Sequence, residues 1–372
     1  MKKEYSILFL KYDMRGVFMN ERETVFEVIP GLLGVKTNSR MINFFKFGGI
    51  FLAEKAKNDL PIIVKYTVDE SIKHYEKRTS SVIFHHYYGS YSENQLYYDR
   101  QIFGSLKYRL ILRNLTERIP EIVVNKSYAK LPLKVNNILP PGLHLSDLAI
   151  CKMLELGYLP LSAAALEFEG KAFVLIAPPE TGKTVTVLKA LKERPNVYTY
   201  MSEDMVITNG AEAISCPFTL SFRHHGSSRT FKEKFFNSLN KLSPIFNLVT
   251  EKASWPTDTY FIKSKICKKC KIDSIILLHR NMTGDKYFKQ LDKKEAFNRV
   301  WNLNKYEFTY YRNPLLIAYS FLNPRSFSLK ELEETERKLV KEFVNNNDTI
   351  EMTAENPEDF LLLLEQYMKG RS

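Results

Sequence analysis

Long apolar runs are what this sequence of 372 residues has least of. No segment approaches the ~20 consecutive apolar residues of a membrane-spanning helix, so no membrane partner is expected. The start, "MKKEYSILFLKYDMRG", has basic residues and a short apolar run. That run is too brief for a secretory signal, and no small-residue cleavage site follows. A cytoplasmic location is the expectation. Cysteine is scarce as well: Cys151, Cys216, Cys267 and Cys270. So few thiols point to a reducing compartment rather than a disulfide scaffold. Cys267 and Cys270 form one "CKKC". A structural zinc site needs a second ligand pair, and none stands nearby. A redox CxxC normally opens a helix, whereas the strand-like "KIDSIILL" follows this one, so the pair reads as local structure. Internal repeats, low-complexity segments and a recognisable RNA- or DNA-binding motif are all missing, which argues against nucleic acid as a partner.

What is present is core material and positive charge. Hydrophobic residues make up 44% and charged residues 26%, which is ordinary for a globular chain. Lys and Arg outnumber Asp and Glu by 54 to 42, a net charge of +12. That balance favours acidic or phosphorylated partners, although Lys is spread evenly enough to be a plain soluble surface. The length suggests two domains. "NNILPPGLH" (136–144) is the best punctuation in the chain, and a boundary is placed there, giving domains 1–140 and 141–372.

In the first part, "FEVIPGLLGV", "PIIVKYTV" and "SSVIFHHYYGSY" read as strands, and "KYRLILRNL" fits either strand or helix. No chemical motif stands out there. In the second part, "SDLAICKMLELG" reads as a helix with Ser146 as N-cap and Gly157 at its end. Two extended runs then flank Glu169-Gly170-Lys171, a tight hairpin turn. "NVYTYMSEDMVIT", "AISCPFTLSFR" and "KIDSIILLHR" read as strands. The tail is helical. Ser328 and Glu331 have capping-box spacing, and "NPEDFLLLLEQYMKG" carries Asn356 as N-cap and Pro357 at the first helical position. "DTIEMTA" between those helices reads as a strand.

"AFVLIAPPETGKTVTVLKAL" (172–191) carries the chemistry. An apolar strand runs into Ala177, Pro178, Pro179, Glu180, Thr181, Gly182, Lys183, Thr184 and Val185, then into a helix. The Walker A loop is G-x-x-x-x-G-K-[ST]: backbone N–H groups cradle phosphate, Lys reaches the β- and γ-phosphates, and the hydroxyl binds Mg²⁺. Gly182, Lys183 and Thr184 fit its last three positions, and Ala177 replaces the first Gly. Farther on, "MSEDMVIT" places Glu203 and Asp204 side by side. Two neighbouring acids can divide labour, one holding a metal and the other accepting a proton.

With the hairpin, the loop, the helix and Ser202-Glu203-Asp204 in this order, the chain resembles the HPr kinase/phosphorylase superfamily, which shares its nucleotide fold with phosphoenolpyruvate carboxykinase. "LSAAALEFEGKAFVLIAPPETGKT", "MSEDMVIT", "ISCPFTLSFR" and "IDSIILLHR" follow the family's order over about residues 143–280. The resemblance implies an α/β (α+β) fold, a mixed-sheet P-loop nucleotide-binding domain with a helical C-terminal extension and a separate N-terminal α+β domain. It implies ATP and Mg²⁺ as cofactors, Lys183 on the phosphates, and Thr184, Glu203 and Asp204 as metal ligands. Lys183, Glu203 and Asp204 become the catalytic candidates. The implied activity is transfer of a γ-phosphate to a hydroxyl of a protein, peptide or small molecule. Homo-oligomers are common among such kinases. Three positions depart from the family pattern: Ala177, Glu203 for an Asp, and Ser162 where the family has a His. A Ser hydroxyl cannot carry positive charge. Arg223 ends the "TLSFR" run and His224 and His225 follow it, each most simply an ordinary loop or surface residue. A nucleotide-binding regulator or pseudokinase is the alternative.

Overall fold

The computed structural model describes residues 19–217 and 266–370, apart from 41, 49, 51–52, 75–79, 91–93 and 132–137. Arg223, His224, His225 and the later part of "AISCPFTLSFR" lie outside the described residues. The fold is mixed α+β, with two mixed sheets.

The first sheet comes from β1 (Met19–Ile29), β2 (Leu33–Ser39), β3 (Glu54–Lys55), β4 (Ile62–Val68), β5 (Val82–Phe84), β6 (Tyr87–Gly89), β7 (Gln95–Phe103), β8 (Leu106–Arg113) and β9 (Glu121–Val124). Their spatial order is β3-β1-β2-β4-β9-β8-β7-β6-β5. β2, β4 and β9 run parallel at its centre, and the remaining pairs are antiparallel. Alternation explains the strands: β4 reads buried, half-buried, buried along "IIVKYTV", so one face packs inward. The ambiguous "KYRLILRNL" is strand β8, paired on both sides.

A short α1 (Lys126–Ala129) leads to α2 (Pro141–Glu155), which lies in the core. α2 begins five residues before the expected Ser146 cap. Pro141 at N1 has the fixed φ a helix start wants and no N–H to satisfy. Ser146 therefore sits inside the helix, where its hydroxyl donates to the Gly142 carbonyl at 2.7 Å. α2 buries Leu145, Leu148, Ile150, Met153 and Leu154, each stabilising the fold by roughly 1.5–3 kcal/mol. Its N-terminus has no room: a Cβ on Gly142 would lie 2.0 Å from the Asn43 carbonyl oxygen.

The second sheet holds β10 (Leu159–Leu161), β11 (Ala163–Phe168), β12 (Lys171–Ile176), β13 (Thr199–Ser202), β14 (Val206–Thr208), β15 (Glu212–Ser215), β16 (Lys269–Arg280), β17 (Tyr287–Gln290) and β18 (Asp348–Ala354). The order is β10-β14-β15-β16-β12-β11-β13, with β18 also pairing β16 and β17. β12 runs parallel to β16, and β16 parallel to β18. Glu169 and Gly170 both have positive φ (48° and 78°), the twist a two-residue hairpin between β11 and β12 requires.

The helices of this half are α3 (Lys183–Glu193), α4 (Lys293–Glu307), α5 (Pro314–Leu322), α6 (Leu329–Asn346) and α7 (Phe360–Lys369). Ser328 caps α6 by accepting from Glu331 N at 3.3 Å. "NPEDF" makes a single 3₁₀ turn, Pro357–Asp359, before α7 begins. β12 divides the interior. Ala172, Val174 and Ile176 join the large core shared with α2 and the first sheet. Phe173, Leu175 and Ala177 join a second core with Val187, Ala190 and Leu191 of α3 and Phe360, Leu361 and Leu364 of α7.

Candidate functional site

The loop between β12 and α3 is positioned by both cores. Ala177 is buried at the strand's end, whereas Pro178, Pro179 and Glu180 are exposed. The chain then turns sharply: Glu180 has φ +62° and Gly182 has φ +131°. Thr181 is buried, and its N–H reaches the Pro178 carbonyl at 3.4 Å. α3 opens at Lys183, with Thr184 and Val185 half-buried in its first turn. Thr186 tightens that turn by donating its hydroxyl to the Gly182 carbonyl at 3.0 Å. Across the loop, Pro357 touches Gly182, and Lys189 of α3 donates to the Glu358 carbonyl at 2.9 Å.

Lys183 is the site's central cation. Its side chain is only 8% exposed, and its amine donates to the carbonyls of Ala177 and, at 3.3 Å, Pro178. The amine is thus folded back over the loop's own backbone. Burial pushes its pKa down, and the nearby carboxylates of Asp204 and Glu307 oppose that push.

The two adjacent acids part company. Glu203 is fully buried, while Asp204 is exposed. They occupy the break between β13 and β14, strands that pair with β11 and with β10 and β15 respectively. Ser202, just before them, accepts from Cys216 N at 2.7 Å. Ser162 stands where two ladders diverge. Leu161 pairs Val206 and Ala163 pairs Ile176, so the next step leads to Met205 on one side and to Ala177 on the other. The register therefore brings Ser162, Ala177 and the Asp204 segment together from three strands.

Two participants had no motif to announce them. Glu307, the last residue of α4, is half-buried. Burial raises its pKa; Lys183 and Lys46 pull it down, and Asp204 pushes it further up. Lys46, from the segment after β2, donates its amine to the Glu307 carbonyl at 3.1 Å and lies 5.4 Å from the Phe308 ring centroid. The usable signal was a helix-end mismatch. A carboxylate at a helix C-terminus and a lysine at a helix N-terminus both oppose the dipole. Glu307 and Lys183 each break that rule.

Asn304, one turn before Glu307, sets the helix end by donating to the Pro160 carbonyl of β10 at 3.0 Å and to Glu336 of α6 at 3.3 Å. The thiols of Cys267 and Cys270 also come together. Their mutual hydrogen bond brings Cys267 down to about 7 and drives Cys270 upward. Cys270 contacts the Met201 sulfur, three residues before Asp204.

No family model matches the chain. No curated protein matches it in sequence. Among solved structures it is similar to the Hpr(Ser) kinase/phosphatase from Coxiella burnetii, at 8% identity. That likeness covers 57% of this chain and 95% of the other, with a TM-score of 0.26. A likeness so faint carries no argument, and the functional reading rests on the site itself. Among the described residues, no helix is long and apolar enough to cross a membrane, and no group of three or more His, Cys, Asp or Glu gathers as a metal site.

Proposed function

We propose that this chain is an ATP-dependent phosphotransferase acting on a hydroxyl of a protein, peptide or small molecule. One observation carries the reading. The buried Lys183 amine opens a helix at the end of an apolar strand, bonded among the described residues to replaceable loop carbonyls and faced by Asp204. Incoming phosphate oxygens would exchange for those carbonyls, and the helix N-terminus would add its partial positive charge.

The residues fit a nucleotide–Mg²⁺ pair. With no protein cage of three ligands among the described residues, a metal would be held as Mg²⁺ often is, by one or two protein oxygens and the substrate phosphates. Thr184 would supply the protein oxygen, which leaves the exposed Asp204 carboxylate free to act as a base. The bound metal would neutralise charge developing on the phosphoryl oxygens. In transfer, the acceptor oxygen forms a bond to the γ-phosphorus as the bond to the β-phosphate oxygen breaks. The nucleoside diphosphate leaves, and the acceptor proton passes to the Asp204 carboxylate.

Mg-ATP should raise the melting temperature of the wild type, by about 2.7 kcal/mol of stabilisation at a hundredfold excess over Kd. Lys183→Ala should abolish the shift. Phosphate transfer from labelled ATP should disappear in Asp204→Asn. Absence of any shift with purine nucleotides defeats the reading.

A second reading, a nucleotide-binding regulator without transfer, is favoured by the complete burial of Glu203 and by Ser162 in place of an imidazole. Binding with neither transfer nor hydrolysis would select it.

A further inference from the structure

Among the described residues, the segment 43–47 of the first half of the chain reaches toward the loop site. Residues 43–47 are wedged against the start of α2. The Asn43 amide donates to the Leu131 carbonyl at 3.3 Å, and Lys46 N–H donates to the Ser146 hydroxyl at 2.9 Å. Phe45 and Phe47 meet edge to face at 5.5 Å between centroids. Cys216, whose N–H binds Ser202 beside the acids, brings its thiol to the Phe47 carbonyl at 3.7 Å. The absence of a side chain on Gly142 allows this approach. Lys46 is thereby fixed over the C-terminal end of α4, its amine on the Glu307 carbonyl.

We propose that Lys46 is a second phosphate-binding cation of the loop site, contributed by the first half of the chain and selective for nucleoside triphosphate over diphosphate. The inference rests on the nucleotide reading above. Three placements support it. Glu307 ends its helix against the dipole, which is tolerable where cations flank it. Lys46 sits on the Glu307 carbonyl at 3.1 Å, and Cys216 joins the adjacent Phe47 to Ser202 beside the acids, so the amine is held next to the Asp204 segment; Lys183 and Lys46 both lower the pKa of the Glu307 carboxylate. Lys183 already belongs to the loop that would hold the inner phosphates. A cation approaching from another element is then available to the outermost one, as in phosphoryl-transfer sites that gather cations around the terminal phosphate. The half-buried Glu307 carboxylate brings negative charge to the same surroundings and would repel the incoming phosphate.

The test is a titration of the full chain with Mg-ADP and with a slowly hydrolysed Mg-ATP analogue. Lys46→Met should weaken the triphosphate by about tenfold or more and ADP by less than about threefold, the loss of one charge-assisted contact. Lys46→Arg should restore most of the affinity. Glu307→Gln leaves the backbone carbonyl that anchors Lys46 in place, and it should tighten the triphosphate. Melting temperatures without ligand report whether each variant is folded.

Equal weakening of ADP and triphosphate by Lys46→Met overturns the inference, as does wild-type affinity in that variant. Weaker triphosphate binding by Glu307→Gln also counts against it. Should the wild type bind neither nucleotide, the nucleotide reading falls and this inference with it. Wild-type binding that ignores Lys46 removes Lys46 alone.

Discussion

Gly182 answers two demands at the residue scale. Its φ of +131° suits no L side chain, and a Cβ there would lie 2.7 Å from Cβ of Pro357. Gly182→Ala should therefore destabilise the fold by about 1–3 kcal/mol in a denaturant titration, the cost of a strained backbone position. An ordinary Gly→Ala change at a helix would have the opposite sign. Cys267 offers a chemical readout. The hydrogen bond from Cys270 brings its thiol to about 7, so much of it is thiolate at neutral pH. Iodoacetamide at pH 7.5 should label Cys267 first, with the buried Cys151 and Cys216 unlabelled in the native protein. Peptide mapping by mass spectrometry checks the order, and equal labelling of all four thiols would contradict it.

At the scale of the element, α4 delivers Glu307 to the site, and its other end is held by Asp292. That carboxylate accepts from Lys294 N at 2.9 Å and from Glu295 N at 3.0 Å. Asp292→Ala should cost about 1 kcal/mol, measured as a lower midpoint with an unchanged m value. Elements with local causes were legible in the sequence. The Glu169-Gly170 turn, the Ser328 cap and strand "DTIEMTA" needed only their own neighbours. The start of α2 is hidden because Ser146 looks like a cap; Pro140 holds the cap position and Pro141 opens the helix, while the Ser146 hydroxyl accepts from Lys46 N–H. The loop residues from Ala177 to Val185 could be found because strand, turn and helix are contiguous. Lys46 and Glu307 could not, since 261 positions separate them and only the tertiary fold joins them. The acids show the same limit: adjacency in sequence did not reveal that Glu203 faces the interior and Asp204 the solvent.

For the whole molecule, a buried polar network ties α2 to the chain ahead of α5. Asn313 accepts from Leu315 N at 3.0 Å through its side-chain oxygen, which fixes its amide nitrogen toward Asp147 at 2.7 Å. The same oxygen meets Nδ1 of His144 at 2.9 Å, so that nitrogen carries the ring proton. Burial lowers His144 to about 4, with the Asn313 bond opposing, and raises Asp147 to about 6, with Lys46 and Asn313 opposing. The signs differ. The His144 contribution is complete above its unfolded value near 6.5 and is lost as pH falls toward 4. The Asp147 contribution is complete below its unfolded value near 3.9 and is lost as pH rises through about 6. The two oppose each other between those limits. Asp147→Asn removes one of them, so the variant's melting temperature should fall more steeply than the wild type's between pH 6.5 and pH 4. Parallel curves would show that Asp147 does not titrate there.

The wedge of residues 43–47 against Gly142 also bears on the order in which the chain matures. Lys46 gains its anchor only after Glu307 has left the ribosome and α4 has docked on β10. Contacts of such sequence separation form late and slow the approach to the native state. The loop around Lys183 is local and can take shape early, but its surroundings close only when both halves are in place. On the proposed reading, nucleotide affinity would then appear abruptly during refolding, trailing the recovery of secondary structure, and would mark the completed molecule rather than its parts.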